Sequence, residues 1–213
     1  MGTKSGPPVR STYRHGDLQR ALLEAGIELA RDGGPDAVVL REATRRAGVV
    51  PNAAYRHFAS RQALLQAVRS AALSQLAVAM ETELAGLSRR RRPADFARAS
   101  LRAIGTAYLR FAQDETGLFR TAFAVPGQTD LAADPSRAGK SGLNPFQLLG
   151  LALDRLVEAG VLPPARRPGA EYLAWSAVHG LAMLVIEGPL RDLPRAQRDA
   201  VKQRLLDMVE KGL

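Results

Sequence analysis

The segment 40–65 holds the side chains of this 213-residue chain that are best suited to recognising another molecule. Four neighbouring polar groups stand between residues 51 and 58: Asn52, Tyr55, Arg56 and His57. The spacing predicts a short helix, a turn at Gly48 and a second short helix that has few apolar residues. A helix-turn-helix with an exposed polar second helix can place side chains in a DNA major groove. The segment therefore predicts a DNA-binding regulator.

The residue types indicate how this region could read a base sequence. An arginine can donate two hydrogen bonds to a guanine edge, and an asparagine can bond an adenine edge in the same way. Arg41 and Arg56 fit the first role and Asn52 fits the second, while Ala53 offers a methyl contact to thymine. A solvated surface charge is the plainer interpretation of any lone arginine, and for Arg56 and Asn52 both interpretations stay open. Phe58 is expected in the core.

Composition favours a polyanionic partner. The net charge is +9, and such a basic balance favours nucleic acid first and an anionic membrane second. The hydrophobic share of 46% is enough to build a sizeable core. There is no cysteine, which excludes disulfides and thiolate metal sites. The three histidines lack metal-ligand spacing, so neither a metal nor a cofactor is predicted.

Hydrophobic periodicity predicts helices along the chain and no strands. A first helix is expected from Asp17, a plausible N-cap, to the Gly33–Gly34–Pro35 break. The further predicted helices are 39–46, 51–57, 61–87, 94–113, 116–124, 144–160, 169–188 and 194–211. Ser60 is predicted to cap the long helix 61–87, and residues 125–143 are expected to form a loop. The fold class is therefore all-α.

Two groups of motifs resemble the TetR (tetracycline-repressor-like) family of bacterial regulators. The first comprises YRHGDLQRALLEAG at 13–26, Gly-Gly at 33–34, LRE at 40–42, RRAGV at 45–49 and NAAYRHFASRQALL at 52–65. The second, Trp175 to Gly180, is similar to the Trp…His-Gly motif of the family's WHG-type ligand-binding domains. The resemblance implies a homodimer whose two heads read half-sites of a near-palindromic operator in double-stranded DNA. It also implies a body that binds a small-molecule effector and then moves the heads out of register.

The resemblance also divides the chain and assigns roles to its residues. Residues 1–12 are rich in Pro, Gly and Ser and are expected to form a flexible basic arm. The resemblance implies a helix-turn-helix domain at 13–60 and a helical ligand-binding and dimerisation domain at 61–213. Tyr55, His57 and Arg61 match positions that usually touch DNA phosphates, which orient a head without reading sequence. The expected DNA-binding set is Arg41, Arg45, Pro51, Asn52, Ala53, Tyr55, Arg56, His57 and Arg61.

Three positions depart from the family pattern. Val39 and Val50 stand where Ser or Thr commonly caps the second and third helices. Loss of such a cap costs about 1 kcal/mol of helix stability. Thr44 occupies a tightly packed inner position where the family prefers Ala. These departures predict a head that is less stable than is typical.

Aromatic residues of the body are candidates for contact with an effector. The expected set is Tyr108, Phe111, Phe119, Phe123, Trp175, His179 and Met183. An aromatic stripe at helical spacing is more often plain core, but Trp175 and His179 share one helix face and carry polar groups. The lack of a charge cluster among these apolar stretches suggests a hydrophobic or weakly polar effector. The amphipathic helix 194–211 is expected to pair with 169–188 as a dimer surface, unless that face packs on its own subunit.

Other classes of function fit less well. The chain lacks the G-x-S-x-G serine elbow, and Gly139–Lys140–Ser141 resembles a P-loop tail in which Asp134 replaces the first glycine. We therefore expect no enzyme activity. No run approaches the ~20 apolar residues of a membrane span, so we expect a cytoplasmic protein without a membrane partner. The open alternative is a ligand-blind, largely electrostatic DNA-binding or nucleoid-type protein, whose binding would depend steeply on salt.

Overall fold

The computed structural model describes residues 15–88, 90–124 and 134–213, and within these ranges the chain is all-α, as predicted. The helices are α1 His15–Gly33, α2 Leu40–Arg46, α3 Pro51–Ala54, α4 Arg61–Ala85, α5 Pro93–Asp114, α6 Thr116–Ala122, α7 Pro145–Glu158, α8 Ala170–Ile186 and α9 Arg195–Gly212. Single 3₁₀ turns lie at Pro35–Ala37, Pro135–Arg137 and Pro164–Arg166. The expected arm at 1–12 and residues 125–133 of the expected loop lie outside the described residues. We call α1–α3 the head and α4–α9 the body.

Some boundaries differ from the sequence-based predictions. Helix α1 begins at His15, so Asp17 lies in its first turn and is not the N-cap. Helix α3 ends at Ala54 instead of residue 57, and the amides of His57 and Phe58 both donate to the Ala54 carbonyl at 2.9 Å. A helix this short makes few internal hydrogen bonds, and the chain after it continues as a tight turn over residues 54–58. The predicted loop also contains the 3₁₀ turn at Pro135–Arg137.

Helices α2 and α3 of the head lack the usual side-chain N-caps. Val39 and Val50 occupy the N-cap positions of α2 and α3, and neither side chain makes a cap hydrogen bond. Thr44 is buried at the position where the family prefers Ala. Its hydroxyl donates a hydrogen bond to the Arg41 carbonyl at 2.7 Å, so this buried polar group has a partner. Gly48 turns the chain with a φ of 67°, a conformation that favours glycine.

Helix α4 connects the head to the body. The Ser60 side chain accepts a hydrogen bond from the Ala63 amide at 3.1 Å, which confirms the predicted cap. The buried face of α4 packs against α1 at its beginning and then against α5, α6 and α7. Helices α5, α7, α8 and α9 complete the body, and Asn144 caps α7 by exchanging hydrogen bonds with Gln147.

Helix α4 is also long and apolar enough to cross a membrane, judged by length and composition over the described ranges. The expectation that no run approaches ~20 apolar residues is not contradicted, because polar residues such as Arg69, Ser70 and Ser74 interrupt the apolar residues of α4. Half of the apolar window is buried inside the protein, and the core helix of a soluble protein passes the same test. The packing of α4 between the head and the body accounts for its apolar composition.

Candidate functional site

The outer surface of the head presents polar side chains. Arg41, Asn52 and Arg56 are exposed, and Tyr55 is 58% exposed. Phe58, in contrast, is 5% exposed, which confirms its expected place in the core. These four exposed groups include donors for base edges and for phosphates, so the surface has the chemistry that a DNA interface needs.

Two of the predicted DNA-binding arginines have partners within the protein. The Arg61 guanidinium donates to the Val38 carbonyl from Nε and to the Pro35 carbonyl from Nη2, both at 2.8 Å. Arg45 forms an ion pair with Glu42 in which Nε and Oε2 are 3.0 Å apart. That hydrogen bond raises the pKa of Arg45 and lowers the pKa of Glu42. Arg61 therefore fastens the start of α4 to the chain that leads into α2.

Replacing Arg61 with Ala should lower the stability of the head. The change removes both bonds to the carbonyls, so we expect the free energy of unfolding to fall by roughly 1 kcal/mol. Urea denaturation followed by circular dichroism measures this loss. The neighbouring exposed Gln62→Ala variant is the control and should leave stability nearly unchanged. Unchanged stability of Arg61→Ala would contradict the structural role.

A cavity of about 100 Å³ lies in the body between α4, α5, α7, α8 and α9. Its wall is mostly apolar, and four aromatic residues contribute to it: Tyr108, Phe123, Phe146 and Trp175. Five residues with charged or amide side chains also line it: Arg69, Arg102, Arg137, Asn144 and Glu210. The cavity therefore offers an apolar surface with a few convergent polar groups, which is the usual chemistry of a small-molecule site.

A chain of hydrogen bonds lies along the aromatic wall of the cavity. The Trp175 indole Nε1 donates to the Tyr108 oxygen at 3.1 Å, and the Tyr108 hydroxyl lies 2.7 Å from His179 Nδ1. In the contact with His179, the donor and acceptor roles depend on which ring nitrogen of the histidine carries the proton. Burial raises the pKa of Tyr108 and lowers the pKa of His179, so both groups are neutral near pH 7.

Two family models match the chain in these two regions. The model described as "Bacterial regulatory proteins, tetR family" matches residues 22–68, and the one described as "Tetracyclin repressor-like, C-terminal domain" matches residues 101–209. The chain belongs to the TetR family. This family consists of transcription regulators that bind DNA.

Solved structures share the TetR fold. A protein of unknown function from Rhodococcus sp. RHA1 is 28% identical, with a TM-score of 0.73, and the match covers 96% of this chain and 99% of that one. FadR from Bacillus subtilis, solved with stearoyl-CoA, is 13% identical, with a TM-score of 0.64 and coverage of 91% and 98%. A variant of TetR from Acinetobacter baumannii AYE, solved with minocycline, is 19% identical, with a TM-score of 0.56 and coverage of 90% and 93%. The comparison with curated proteins gives no match.

The predicted effector-binding residues of this TetR-family chain divide into three groups. Tyr108, Phe123 and Trp175 line the cavity. Phe119 and His179 lie against these rings, with the Phe119 centroid 5.3 Å from Tyr108 and the His179 centroid 4.9 Å from Phe123. The remaining two, Phe111 and Met183, belong to the core and lie outside the described lining of the cavity.

Sequence reasoning missed the polar part of the cavity. Arg69 and Arg137 are each 5% exposed, and Asn144 is 4% exposed. A signal for Arg69 is present in the sequence, because it stands at helical spacing between Leu65 and Ala72 on the apolar face of α4. No comparable signal marks Arg137, which lies in the short 3₁₀ turn Pro135–Arg137. Charged side chains therefore line the cavity beside its apolar wall, and the hydrophobic or weakly polar effector stays a prediction.

Stability should depend on pH through His179. Its pKa is lower in the folded chain than the ordinary value of about 6.5, so below that value the unfolded chain binds more protons. We expect the free energy of unfolding to fall as the pH drops from about 7.5 to about 5.5, and to fall less in His179→Gln. Urea denaturation at both pH values measures the two slopes. Equal slopes in the wild type and the variant would contradict this prediction.

The P-loop-like tripeptide Gly139–Lys140–Ser141 binds a carboxylate of the protein itself. Glu81 on α4 accepts hydrogen bonds from the Lys140 and Ser141 amides at 2.8 Å and from the Ser141 hydroxyl at 2.6 Å. Burial disfavours the charge of Glu81, but these bonds lower its pKa overall. The Ser74 hydroxyl donates to the Ala138 carbonyl at 2.6 Å. The tripeptide therefore anchors the segment before α7 to α4.

Helix α6 joins the head to the cavity. On one side, Arg31 of α1 forms an ion pair with Glu115 at 2.7 Å, and the backbone of α1 packs directly on Gly117. On the other side, Arg69 Nε donates to the Ala122 carbonyl at 2.9 Å, and Ala122 lines the cavity. A shift of α6 would therefore move both its contact with the head and the wall of the cavity.

Proposed function

We propose that this protein is a cytoplasmic, homodimeric repressor that leaves a near-palindromic operator when a small effector binds the cavity. The observation that carries the proposal is the placement of a polar head and an apolar cavity at opposite sides of α6. Two solved members of the fold, FadR and the A. baumannii TetR variant, hold stearoyl-CoA and minocycline, which supports a small-molecule effector here. The head would bind the operator, and the body would bind the effector.

The proposed DNA contacts follow from the exposed chemistry of the head. Arg41 and Arg56 would bond guanine edges, and Asn52 would bond an adenine edge. Tyr55 would bind a phosphate, and so would His57, which is partly buried. The other members of the proposed set are Arg45, Pro51, Ala53 and Arg61. Because Arg61 donates hydrogen bonds to two backbone carbonyls, its main contribution would be to orient α2.

The proposed dimer surface is made by α8 and α9. Both helices carry large apolar side chains on the outside of the subunit: Tyr172, Leu173, Leu184, Val201 and Met208. Their exposed fractions run from 38% to 66%, which is costly for a protein that stays monomeric. The Trp175 and His179 positions on α8 also support assignment to the WHG-type domains. A second copy of the chain would cover these side chains.

The proposed release mechanism uses the connections of the cavity to the head. An effector in the cavity would press on the wall formed by Arg69 on α4 and Ala122 on α6. Both helices contact α1, so a shift of either helix would rotate the head relative to the head of the second subunit. A change in the spacing of the two heads would weaken binding to both half-sites at once. Coupling of this kind is typically about 1–3 kcal/mol.

Selection of genomic DNA fragments by the purified protein tests the proposal. Recovered fragments are titrated with protein at several salt concentrations. A near-palindrome that is bound well above bulk DNA would support a specific dimeric regulator. Equal retention of all fragments, with binding that fades steeply as salt rises, would instead favour the largely electrostatic DNA-binding protein. The same fragments then serve to search for an effector that releases them.

Replacing Arg41 with Ala should relax base preference at one position of each half-site. Loss of a bidentate contact to guanine removes about 1–3 kcal/mol of discrimination. Competition binding with operators that vary at each position measures the change. Arg91→Ala, an exposed charge in the turn before α5, controls for the altered net charge. If Arg41→Ala kept both affinity and base preference, its proposed role would be wrong.

A further inference from the structure

Three large apolar side chains are exposed in the described part of the head, and all three belong to the helix-turn-helix: Val39, Val50 and Tyr55. Val50 is the most exposed of them, at 69%, and it lies between the turn at Gly48 and the exposed side chain of Asn52. We propose that Val50 contacts the methyl group of a thymine in the major groove and so selects that base in each half-site. This inference rests on the proposed function, because it needs an operator that the head binds.

The backbone of the turn directs Val50 outward. The Val49 amide donates to the Thr44 carbonyl at 3.0 Å, and the partly buried Val49 side chain packs against the core. Val50 has an extended backbone, with φ at −72° and ψ at 143°, and its carbonyl accepts a hydrogen bond from the Ala53 amide at 3.0 Å. The position of Val50 is therefore fixed on one side by α2 and on the other side by the first turn of α3.

Val50 does not stabilise the helix that follows it. It occupies the N-cap position of α3 and makes no side-chain cap hydrogen bond there. Valine is among the weakest residues at such a position, where a polar residue would stabilise the helix. An exposed isopropyl group also gains nothing from the water around it. A partner that buries this side chain would offset both costs.

Thymine is the base whose edge matches a valine. Phosphates and polar base edges need hydrogen-bond donors or acceptors, and a valine side chain has neither. The C5-methyl group of thymine is the apolar part of the major-groove edge. In helix-turn-helix proteins the first residues of the second helix contact base edges, whereas the first helix crosses the DNA backbone. Val50, before α3, is therefore placed for a base contact, and Val39, before α2, is placed for the backbone.

Val50 and Ala53 can contact different thymines. Ala53 is partly buried and carries one methyl group, whereas Val50 is exposed and carries two. The two positions are three residues apart, which is roughly 4.5 Å along a helix and more than the spacing of about 3.4 Å between successive bases of one strand. A scan of single base positions therefore separates the two contacts.

Replacing thymine with uracil removes the methyl group and changes nothing else on the base. Each thymine of one operator half-site is replaced in turn with deoxyuridine, and fluorescence anisotropy measures the dissociation constant of the full-length protein. At the position read by Val50 we expect binding to weaken about fourfold, and about fifteenfold when both half-sites are changed. An operator that tolerates deoxyuridine at every position would overturn the inference.

Variants of the two exposed valines assign the position. Val50→Ala should lower the preference for thymine over uracil at that position to less than about twofold, while Val50→Ile should keep it. None of these three side chains has an oxygen to cap α3, so the capping of the helix does not change. Val39→Ala removes the same atoms from the matching site before α2 and should keep the full preference. A full preference in Val50→Ala, or an equal loss in Val39→Ala, would contradict the assignment.

Alternating duplexes of equal length, built from dA with dT or from dA with dU, separate this inference from the proposed function. A protein that binds a specific operator but ignores the thymine methyl group at every position would keep its function and lose the Val50 contact. A protein that selects no operator, but prefers the dA–dT duplex and loses this preference in Val50→Ala, would keep the contact and lose the proposed function. Equal binding to both duplexes without a specific operator would overturn both.

Discussion

The Phe119→Ala variant is expected to lose roughly 3–5 kcal/mol of unfolding free energy. Phe119 is fully buried, and its ring packs edge-on against Tyr108 at a centroid distance of 5.3 Å. It also lies 5.0 Å from Phe123 and 5.7 Å from His179, so its removal opens a void beside the cavity. Urea denaturation measures the loss, which corresponds to a fall in melting temperature of about 2–4 °C per kcal/mol for a chain of this size.

A second phenylalanine in the body is a matched control. Phe96 of α5 is partly exposed and lies under the Arg155 guanidinium at 5.8 Å. Phe96→Ala removes the same atoms from a site that solvent already reaches, so it should cost less than half as much as Phe119→Ala. Equal losses for the two variants would contradict the central place of Phe119 in the core of the body.

The helix-turn-helix could be predicted from the sequence because its information is local. Gly48 marks the turn, Phe58 marks the inward side, and the polar residues between them mark the outward side. The role of Arg61 could not be predicted in this way. Its partners, the carbonyls of Pro35 and Val38, lie 26 and 23 residues earlier in the chain. Which backbone groups meet a side chain over such a distance depends on how the helices pack.

The cavity was only partly predictable for the same reason. Helical spacing places Trp175 and His179 on one face, but the hydrogen bonds of both to Tyr108 span 67 and 71 residues. The rotation of α5 against α8 decides that Tyr108 faces the cavity and that Phe111, three residues later, does not. Arg137 lines the cavity from a segment that Glu81 and Ser74 anchor to α4. Such anchoring leaves no trace in hydrophobic periodicity.

The Gly117→Ala variant is expected to weaken operator binding as well as stability. A Cβ atom at this position would lie 2.2 Å from the Ala30 carbonyl oxygen and 2.4 Å from that of Arg31. Both are backbone atoms of α1, so no side-chain rotation can relieve the contact and α6 must move away. Overpacking of this kind costs about 1–3 kcal/mol. Because α1 ends at this contact and leads into α2, the displaced α6 should also change the position of the head.

Gly86→Ala is the matched control for this substitution. The nearest atom to a Cβ at Gly86 is the Glu83 carbonyl oxygen at 3.4 Å, an ordinary contact, so stability and operator affinity should both stay near those of the wild type. The fluorescence of Trp175, which lines the cavity, then distinguishes two explanations for a weak Gly117→Ala variant. If its emission stays that of the wild type while the operator is lost, the contact between α6 and α1 sets the position of the head. If the emission changes as well, the variant has unfolded more broadly. Full operator affinity with unchanged stability would contradict the prediction, because α6 would then tolerate the added methyl group and would not determine where the head lies.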